Sequence, residues 1–309
     1  MKQIIITGGL GHIGSMLACD AAKSFPNYKI CVIDNLMTMR FASIFNFKKY
    51  KNIYFYEIDL SKKIDSKMFK KNSIIVNLAA ITDAAGSYGN SHKVEKNNFT
   101  ILKNLVSISE EKSCKLIHLS STSVYGTQSD LVDEDCKKSE LKPQSPYAES
   151  KLKEEMFLKK HRNSISYVCL RFGTIYGFSI GMRFHTAVNK FCWQAANNQQ
   201  LTVWKTAFDQ KRPYLDLNDA CRSIIFLIKS NNFNNEVYNV LTHNLSVRDV
   251  VNVLKKYKPR LKVKFVNNKI MNQLSYDVSN KKFKQLGFKF QGNIDNSIRK
   301  TLVNLLNKI

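Results

Sequence analysis

The chain has 309 residues, of which 44% are hydrophobic, enough to build a sizeable core, and no run approaches the ~20 consecutive apolar residues that cross a bilayer. Lys and Arg outnumber Asp and Glu by 48 to 24. The lysines stand in short pairs such as Lys48-Lys49, Lys62-Lys63 and Lys281-Lys282, with no arginine-rich stripe interleaved with aromatics, so a solvated basic surface is expected and a nucleic-acid partner is not.

Seven scattered cysteines without a CxxC pair argue against a disulfide framework and against a zinc or other metal site. The first residues run straight into a strand, with no cleavable leader, which sets the expectation of a cytoplasmic protein.

In chain order, Gln3 to Thr7 is a β-branched run, and Gly8-Gly9-Leu10-Gly11-His12-Ile13-Gly14 follows and opens a helix to about Lys23. Strand, tight turn and helix in this order make a phosphate cradle. Gly8 and Gly11 allow the turn and close backbone approach, Gly14 lets the helix pack, and the helix N-terminus presents amides to a pyrophosphate. His12 and Ile13 lie in the same turn, His12 as a spacer above the pyrophosphate.

The second strand, Ile30 to Ile33, ends at Asp34, where a carboxylate can accept from an adenosine ribose. A 2′-phosphate would meet its negative charge, so NAD is expected rather than NADP, unless the Arg40 side chain reaches the same place. Strands at 53–58 and 74–78 follow. Asp59-Leu60 falls where an adenine pocket would lie, and Ala79-Ala80 where a loop on the nicotinamide side would lie. Asp83 and Tyr88 follow in that loop.

Further strand-like runs stand at 116–119 and 166–171, with helix-length stretches near 93–111 and 146–162. The alternation specifies an α/β fold, a Rossmann-type doubly wound parallel sheet with helices on both faces. Its ligand crevice is expected beyond the strand carboxyl ends, where Gly8, Asp34, Asp59, Ala79, Ser121 and Arg171 converge. His118, alternating within its strand, reads as structural.

After residue 172 the rhythm breaks. Helical candidates stand near 183–198, 217–229, 246–256 and 292–307. Residues 1–172 are therefore expected to form a dinucleotide-binding domain and 173–309 mainly a smaller substrate-binding lobe, with the sheet rejoined by about 213–242, through a strand at Val237–Leu241. Arg183 and His185 are placed at the start of the first helix of that lobe, with a phosphate or sugar role.

Tyr147 precedes Lys151 by four residues, so both side chains share one helix face. A phenol ordinarily titrates near pH ~10 and acts as a base at neutral pH only beside a cation, a part open to Lys151 and to an oxidised nicotinamide ring. With Ser121 upstream, this describes a hydride-transfer site acting on a hydroxyl.

Four motifs in order, Thr7-Gly8-Gly9-Leu10-Gly11-His12-Ile13-Gly14, Asp34-Asn35-Leu36, Ser120-Ser121-Thr122-Ser123-Val124-Tyr125-Gly126 and Tyr147-Ala148-Glu149-Ser150-Lys151, resemble the extended short-chain dehydrogenase/reductases. Within them the likeness is to the NAD-dependent nucleotide-sugar epimerase/dehydratase family, over nearly the whole chain. The resemblance implies Tyr147 as catalytic base, Lys151 as a ribose-binding residue that activates it, and Ser121 as a hydroxyl bridging Tyr147 and the sugar. It implies NAD as cofactor, a nucleotide-diphosphate sugar as substrate, and a homodimer through the two long helices.

Related dehydratases place an Asp-Glu pair directly after the position of Ser121, because water loss needs an acid and a base at adjacent carbons. Here Thr122 and Ser123 stand there, which leaves oxidation and reduction alone. Arg212, in Gln210-Lys211-Arg212-Pro213-Tyr214, resembles the family's diphosphate-binding arginine. Thr174 stands where many relatives have a substrate-binding asparagine, and Lys269 is all that answers a second diphosphate arginine. The leading expectation is a nucleotide-sugar 4-epimerase; a one-way dehydrogenase or 4-keto-sugar reductase on the same site, and a non-catalytic dinucleotide-binding protein, are the alternatives.

Overall fold

A computed structural model describes residues 1–82, 91–128, 131–267 and 275–306. Seven strands form one wholly parallel sheet: β1 (Gln3–Thr7), β2 (Lys29–Asp34), β3 (Ile53–Glu57), β4 (Ile74–Asn77), β5 (Lys115–Ser121), β7 (Ser166–Phe172) and β11 (Glu236–Val240). Their spatial order is β11-β7-β5-β4-β1-β2-β3. The order reverses between β1 and β4, and there the carboxyl ends of the strands open a crevice.

Alternation along β1 shows why the middle of that strand is apolar on both sides. Ile4 and Ile6 face one layer, with Leu17, Ala18 and Ala21 of α1 (Gly14–Ser24) and Ile224 and Leu227 of α6 (Leu217–Ser230). Ile5 faces the other, with Leu102 and Leu105 of α3 (Ser91–Lys112) and Leu158 of α4 (Pro146–Lys160). Both faces of β1 are covered, so no polar alternation is left along Ile4 to Ile6.

The second half adds a three-stranded sheet in which β10 (Lys211–Asp216) runs parallel to β8 (Thr174–Tyr176) and antiparallel to β12 (His243–Ser246). A separate core forms where α5 (Ala187–Ala196), α7 (Val247–Tyr257) and α9 (Ile294–Leu306) meet, through Val188, Phe191, Leu254, Ile298 and Leu302. Short parallel pairs join β9 (Leu201–Trp204) to β13 (Val263–Val266) and β6 (Leu131–Val132) to β14 (Asp277–Val278). Two short helices, α2 (Ala42–Phe47) and α8 (Lys281–Gln285), complete the order.

Two boundaries differ from expectation. Of the stretch 213–242 only β11 joins the large sheet, because β11 occupies the free edge of β7; β10 pairs instead with β8, where the chain leaves the sheet through Gly173. The helix placed from 183 begins at Ala187, so Arg183 and His185 stand in the loop before it. The Arg183 carbonyl accepts from Asn189 Nδ2 at 3.2 Å, which turns the chain into the helix.

Candidate active site

The crevice is a cavity of about 560 Å³ at the strand carboxyl ends. On the cofactor side it is lined by Gly8, Gly11, His12, Ile13, Gly14, Asp34, Asn35, Leu60, Ala79 and Ala80, on the other by Ser121, Tyr147, Lys151, Thr174, Arg183 and Arg212. Asp83, Tyr88 and Lys269 lie outside the described residues.

Gly8 has φ +61°, and a Cβ there would stand 2.8 Å from the Ala79 nitrogen and the Leu78 oxygen. At Gly14 a Cβ would stand 2.5 Å from the Gly9 Cα. Side chains are thus excluded where a pyrophosphate must approach backbone amides at the start of α1, and the residues present fit a dinucleotide. Asp34 closes the cradle from β2: its Oδ2 accepts from the Leu10 amide at 3.1 Å and its Oδ1 from the Leu36 amide at 3.0 Å. Arg40 also lines the cavity, where burial lowers its affinity for its proton against the attraction of Asp34.

Asp59 does not line the cavity. Its carboxylate turns back to accept from the Ser61 hydroxyl at 2.7 Å and the Ser61 amide at 3.0 Å, bonds that hold it below its ordinary range and make it a cap of its own turn. Arg171 is absent from the cavity wall too. Its guanidinium binds Glu155 through Nε at 3.0 Å and Nη2 at 2.7 Å, and Tyr125 Oη through Nη1 at 2.7 Å.

His12 is buried, with Nε2 2.8 Å from the Gly177 carbonyl. Burial pushes its pKa down to about 3, against that hydrogen bond, so the ring is neutral and donates. Ser179 Oγ donates to the His12 carbonyl at 2.8 Å, and Gly181 nitrogen to Ser15 Oγ at 3.2 Å. These contacts lay loop 177–183 over the glycine turn, and a Cβ at Gly181 would stand 2.3 Å from the Leu10 oxygen. Gly181→Ala is therefore expected to lift the loop, lowering stability by about 1–3 kcal/mol and weakening cofactor retention; thermal melting and the NAD content of the purified variant check this.

The catalytic candidates come from two elements. Ser121 ends β5 and caps the turn that follows, its Oγ accepting from the Ser123 amide at 3.2 Å and the Ser123 hydroxyl at 2.9 Å, which leaves its own hydrogen as a donor. α4 starts sharply because Ser145 Oγ accepts from the Ala148 amide at 3.2 Å and Pro146 fills the first turn. That start places Tyr147 at the cavity, and the Lys151 ammonium lies 5.9 Å from its ring centroid.

Lys151 is buried, its Nζ 2.8 Å from Glu154 Oε2. Burial, the largest single influence, opposes its charge; the attraction of Glu154 and Tyr147 together outweighs it and raises its pKa above the ordinary range. Arg212 enters from β10 with Nε and Nη2 buried and without a hydrogen-bond partner among the described residues. Glu154, which pairs with Lys151, and His118 and Asn77 behind it were not legible as a unit in the sequence, because a glutamate three residues after a lysine on a helix carries no signal of burial.

The sequence profile of the NAD dependent epimerase/dehydratase family matches residues 4–240, and the chain belongs to that family. Its cofactor is NAD. Among curated relatives, a trifunctional UDP-glucose 4,6-dehydratase/UDP-4-keto-6-deoxy-D-glucose 3,5-epimerase/UDP-4-keto-L-rhamnose-reductase of Arabidopsis thaliana is 28% identical over 97% of this chain and 47% of its own length. The chain spans about half the length of the first curated relatives it matches. Among solved structures, a UDP-glucuronic acid 4-epimerase from Bacillus cereus, in complex with UDP-glucuronic acid and NAD, superposes with a TM-score of 0.90 at 23% identity, covering 98% of both chains. A UDP-N-acetylglucosamine 4-epimerase from Methanobrevibacter ruminantium M1, in complex with UDP-N-acetylmuramic acid, gives 0.85 at 22% identity over 97% of both. These structures share the fold.

Proposed function

We propose that the protein is an NAD-dependent epimerase of a nucleotide-diphosphate sugar, inverting C4 through a transient 4-keto sugar. The content of the cavity carries the reading. Ser121, Tyr147 and Lys151 meet the glycine cradle there, and among the described lining residues the only carboxylate is Asp34, separated from Ser121 by β1 and β4. Water loss would need an acid and a base at adjacent carbons, whereas Thr122 and Ser123 offer hydroxyls alone. Oxidation and reduction at one carbon need a single acid–base group.

When bound, NAD supplies a hydride acceptor for the first half of the reaction and a donor for the second. Tyr147 takes the proton of the C4 hydroxyl through its Oη and returns it once the ketone has turned its other face. The Lys151 ammonium offsets the negative charge on that oxygen, and the Ser121 hydroxyl donates to the sugar oxygen. Gly8, Gly11, His12, Ile13 and Gly14 cradle the cofactor pyrophosphate, with Asp34 and Asn35 at the ribose and Leu60, Ala79 and Ala80 lining the rest. Thr174 and Arg183 face the sugar nucleotide.

Arg212 is the diphosphate ligand, and its buried nitrogens, which have no hydrogen-bond partner among the described residues, support that role. Arg212→Met is expected to raise KM for the nucleotide sugar by roughly 10- to 100-fold with kcat changed much less, the signature of lost ground-state binding. A homodimer through α3 and α4 belongs to the same reading, with light scattering as its check.

Proton NMR of the protein with NAD and a panel of UDP-, GDP-, CDP- and dTDP-hexoses, with absorbance of reduced nicotinamide followed in parallel, tests the proposal. A new epimer without net reduced cofactor supports it. Stoichiometric reduced cofactor with an oxidised sugar replaces it by a dehydrogenase, and no turnover across the panel removes the epimerase reading.

A further inference from the structure

α4 buries four polar side chains on one face, Ser150, Lys151, Glu154 and Glu155. Glu155 fastens the helix to β7 through Arg171. Glu154 has a different set of partners: its Oε1 accepts from Ser150 Oγ at 2.9 Å, its Oε2 from Lys151 Nζ at 2.8 Å, and His118 Nε2 stands 2.9 Å from the same Oε2. The last approach is close without the alignment of a full hydrogen bond. Both side chains of the ion pair are almost wholly enclosed, Lys151 at 5% and Glu154 at 1% exposure.

The surroundings are directional. Thr7 Oγ1 accepts from the Leu78 and Ala79 amides at 3.2 and 3.1 Å, so its hydrogen goes to Asn77 Oδ1 at 2.8 Å. Asn77 therefore turns Nδ2 toward His118 Nδ1, 3.2 Å away. That nitrogen accepts, the ring hydrogen sits on Nε2, and it faces Glu154. The glycine-loop strand, β4 and β5 thus set one carboxylate beside the lysine.

We propose that Glu154 is a positioning residue, the internal counter-ion that holds the Lys151 ammonium charged and in place beside Tyr147. The proposal rests on the functional reading above for its catalytic consequence. A buried ammonium without this carboxylate would lose its proton far more readily, since burial opposes its charge and Glu154 is the main opposing influence. Among the other titratable groups that face the pair, Tyr147 adds a weaker attraction for the Lys151 ammonium than Glu154 does. His118 on β5 is held neutral by burial against Glu154, and the Cys169 thiol on β7 is pushed up by burial. Tyr147 lies one turn back on α4, the Glu155–Arg171 pair is already closed on itself, and Glu95 of α3 meets Lys153 at the solvent side.

Glu154→Gln tests this in the NAD holoenzyme. Its kcat for epimerisation is expected to fall roughly 10- to 100-fold with KM within about threefold, and the basic limb of the kcat profile to move down by about one pH unit or more as the uncompensated lysine deprotonates. Glu154→Asp keeps the charge, so its basic limb stays near that of the parent even where kcat falls. A Glu154→Gln enzyme with parental kcat, or one whose kcat drops equally at every pH, overturns the proposal.

A thermal-melting cycle on the holoenzyme needs no turnover. Burial alone would raise the Glu154 pKa, but Lys151 and then His118 outweigh it and hold it down at about 2. Its stabilisation is present above the ordinary glutamate range and is lost as pH falls through it toward 2. Melting temperature should therefore drop less between pH 5 and 3 in Glu154→Gln than in the parent, and Lys151→Met should be partly rescued by adding Glu154→Gln. Independent effects at the two positions overturn the pairing even with turnover intact; coupling in a protein that turns over no nucleotide sugar upholds the pairing and removes the functional reading instead.

Discussion

Tyr147→Phe is expected to lower kcat by roughly 10²- to 10⁴-fold, the contribution of one well-placed acid–base group, while leaving NAD bound. The substitution deletes one oxygen and keeps the ring, so the packing at the start of α4 and the Lys151 ammonium 5.9 Å from the ring centroid are undisturbed. The start of α4 does not depend on that oxygen, because Ser145 and Pro146 set it. Turnover is read from the sugar's anomeric protons and cofactor content from absorbance after denaturing the protein. Ser121→Ala should lose less, since another hydroxyl at Ser123 stands 2.9 Å from the deleted oxygen. A Tyr147→Phe protein that epimerises at the parental rate would assign the proton transfer elsewhere and sink the mechanism.

The glycine turn and the helix that brings Tyr147 and Lys151 to the cavity were legible because each is a local pattern. A β-branched strand, a glycine turn and a helix start are contiguous in sequence, and so are Tyr147 and Lys151 one turn apart. Their convergence was legible too, since strand carboxyl ends of a doubly wound sheet share one crevice. Features that depend on distant pairing were not. The choice of β10 between β7 and β8 turns on which edge β11 has taken, and nothing within 211–216 records that.

Asp59 illustrates a second limit. It occupies a strand end in the right place, yet the serine two positions on offers a nearer donor than the cavity does. Arg171 likewise ends its strand, and its charge belongs to a helix sixteen residues earlier. The polar face of α4 is the largest omission. Lys151 is legible as a site residue, but Ser150, Glu154 and Glu155 carry no sequence signal of burial, and only the positions of His118 and Arg171 on β5 and β7 show that this face points inward.

That inward face makes Arg171→Met the substitution with the largest expected effect on stability. Glu155 and Arg171 side chains are each 6% exposed, and the guanidinium makes two bonds to the carboxylate and one to Tyr125. Ser120 Oγ donates to Glu155 Oε1 at 2.5 Å, and Tyr125 Oη lies 2.9 Å from Asn239 Oδ1. Burial opposes the charge on Arg171, but Glu155 outweighs it and raises the pKa further, so the guanidinium is charged throughout the accessible pH range. Removing it leaves a buried carboxylate uncompensated, at a cost of about 3–5 kcal/mol. Denaturant unfolding should report that loss directly. Arg171→Lys should lose less, because it restores the charge without the two-pronged geometry, and Arg171→Met with Glu155→Leu should recover much of the deficit, since a matched apolar pair carries no uncompensated charge. Kinetics separate this pair from the one beside it: the double apolar variant should keep the basic limb of the parental kcat profile, because Lys151 still has Glu154, whereas an unchanged unfolding midpoint in Arg171→Met would show that α4 is held by its apolar contacts with the sheet and α3.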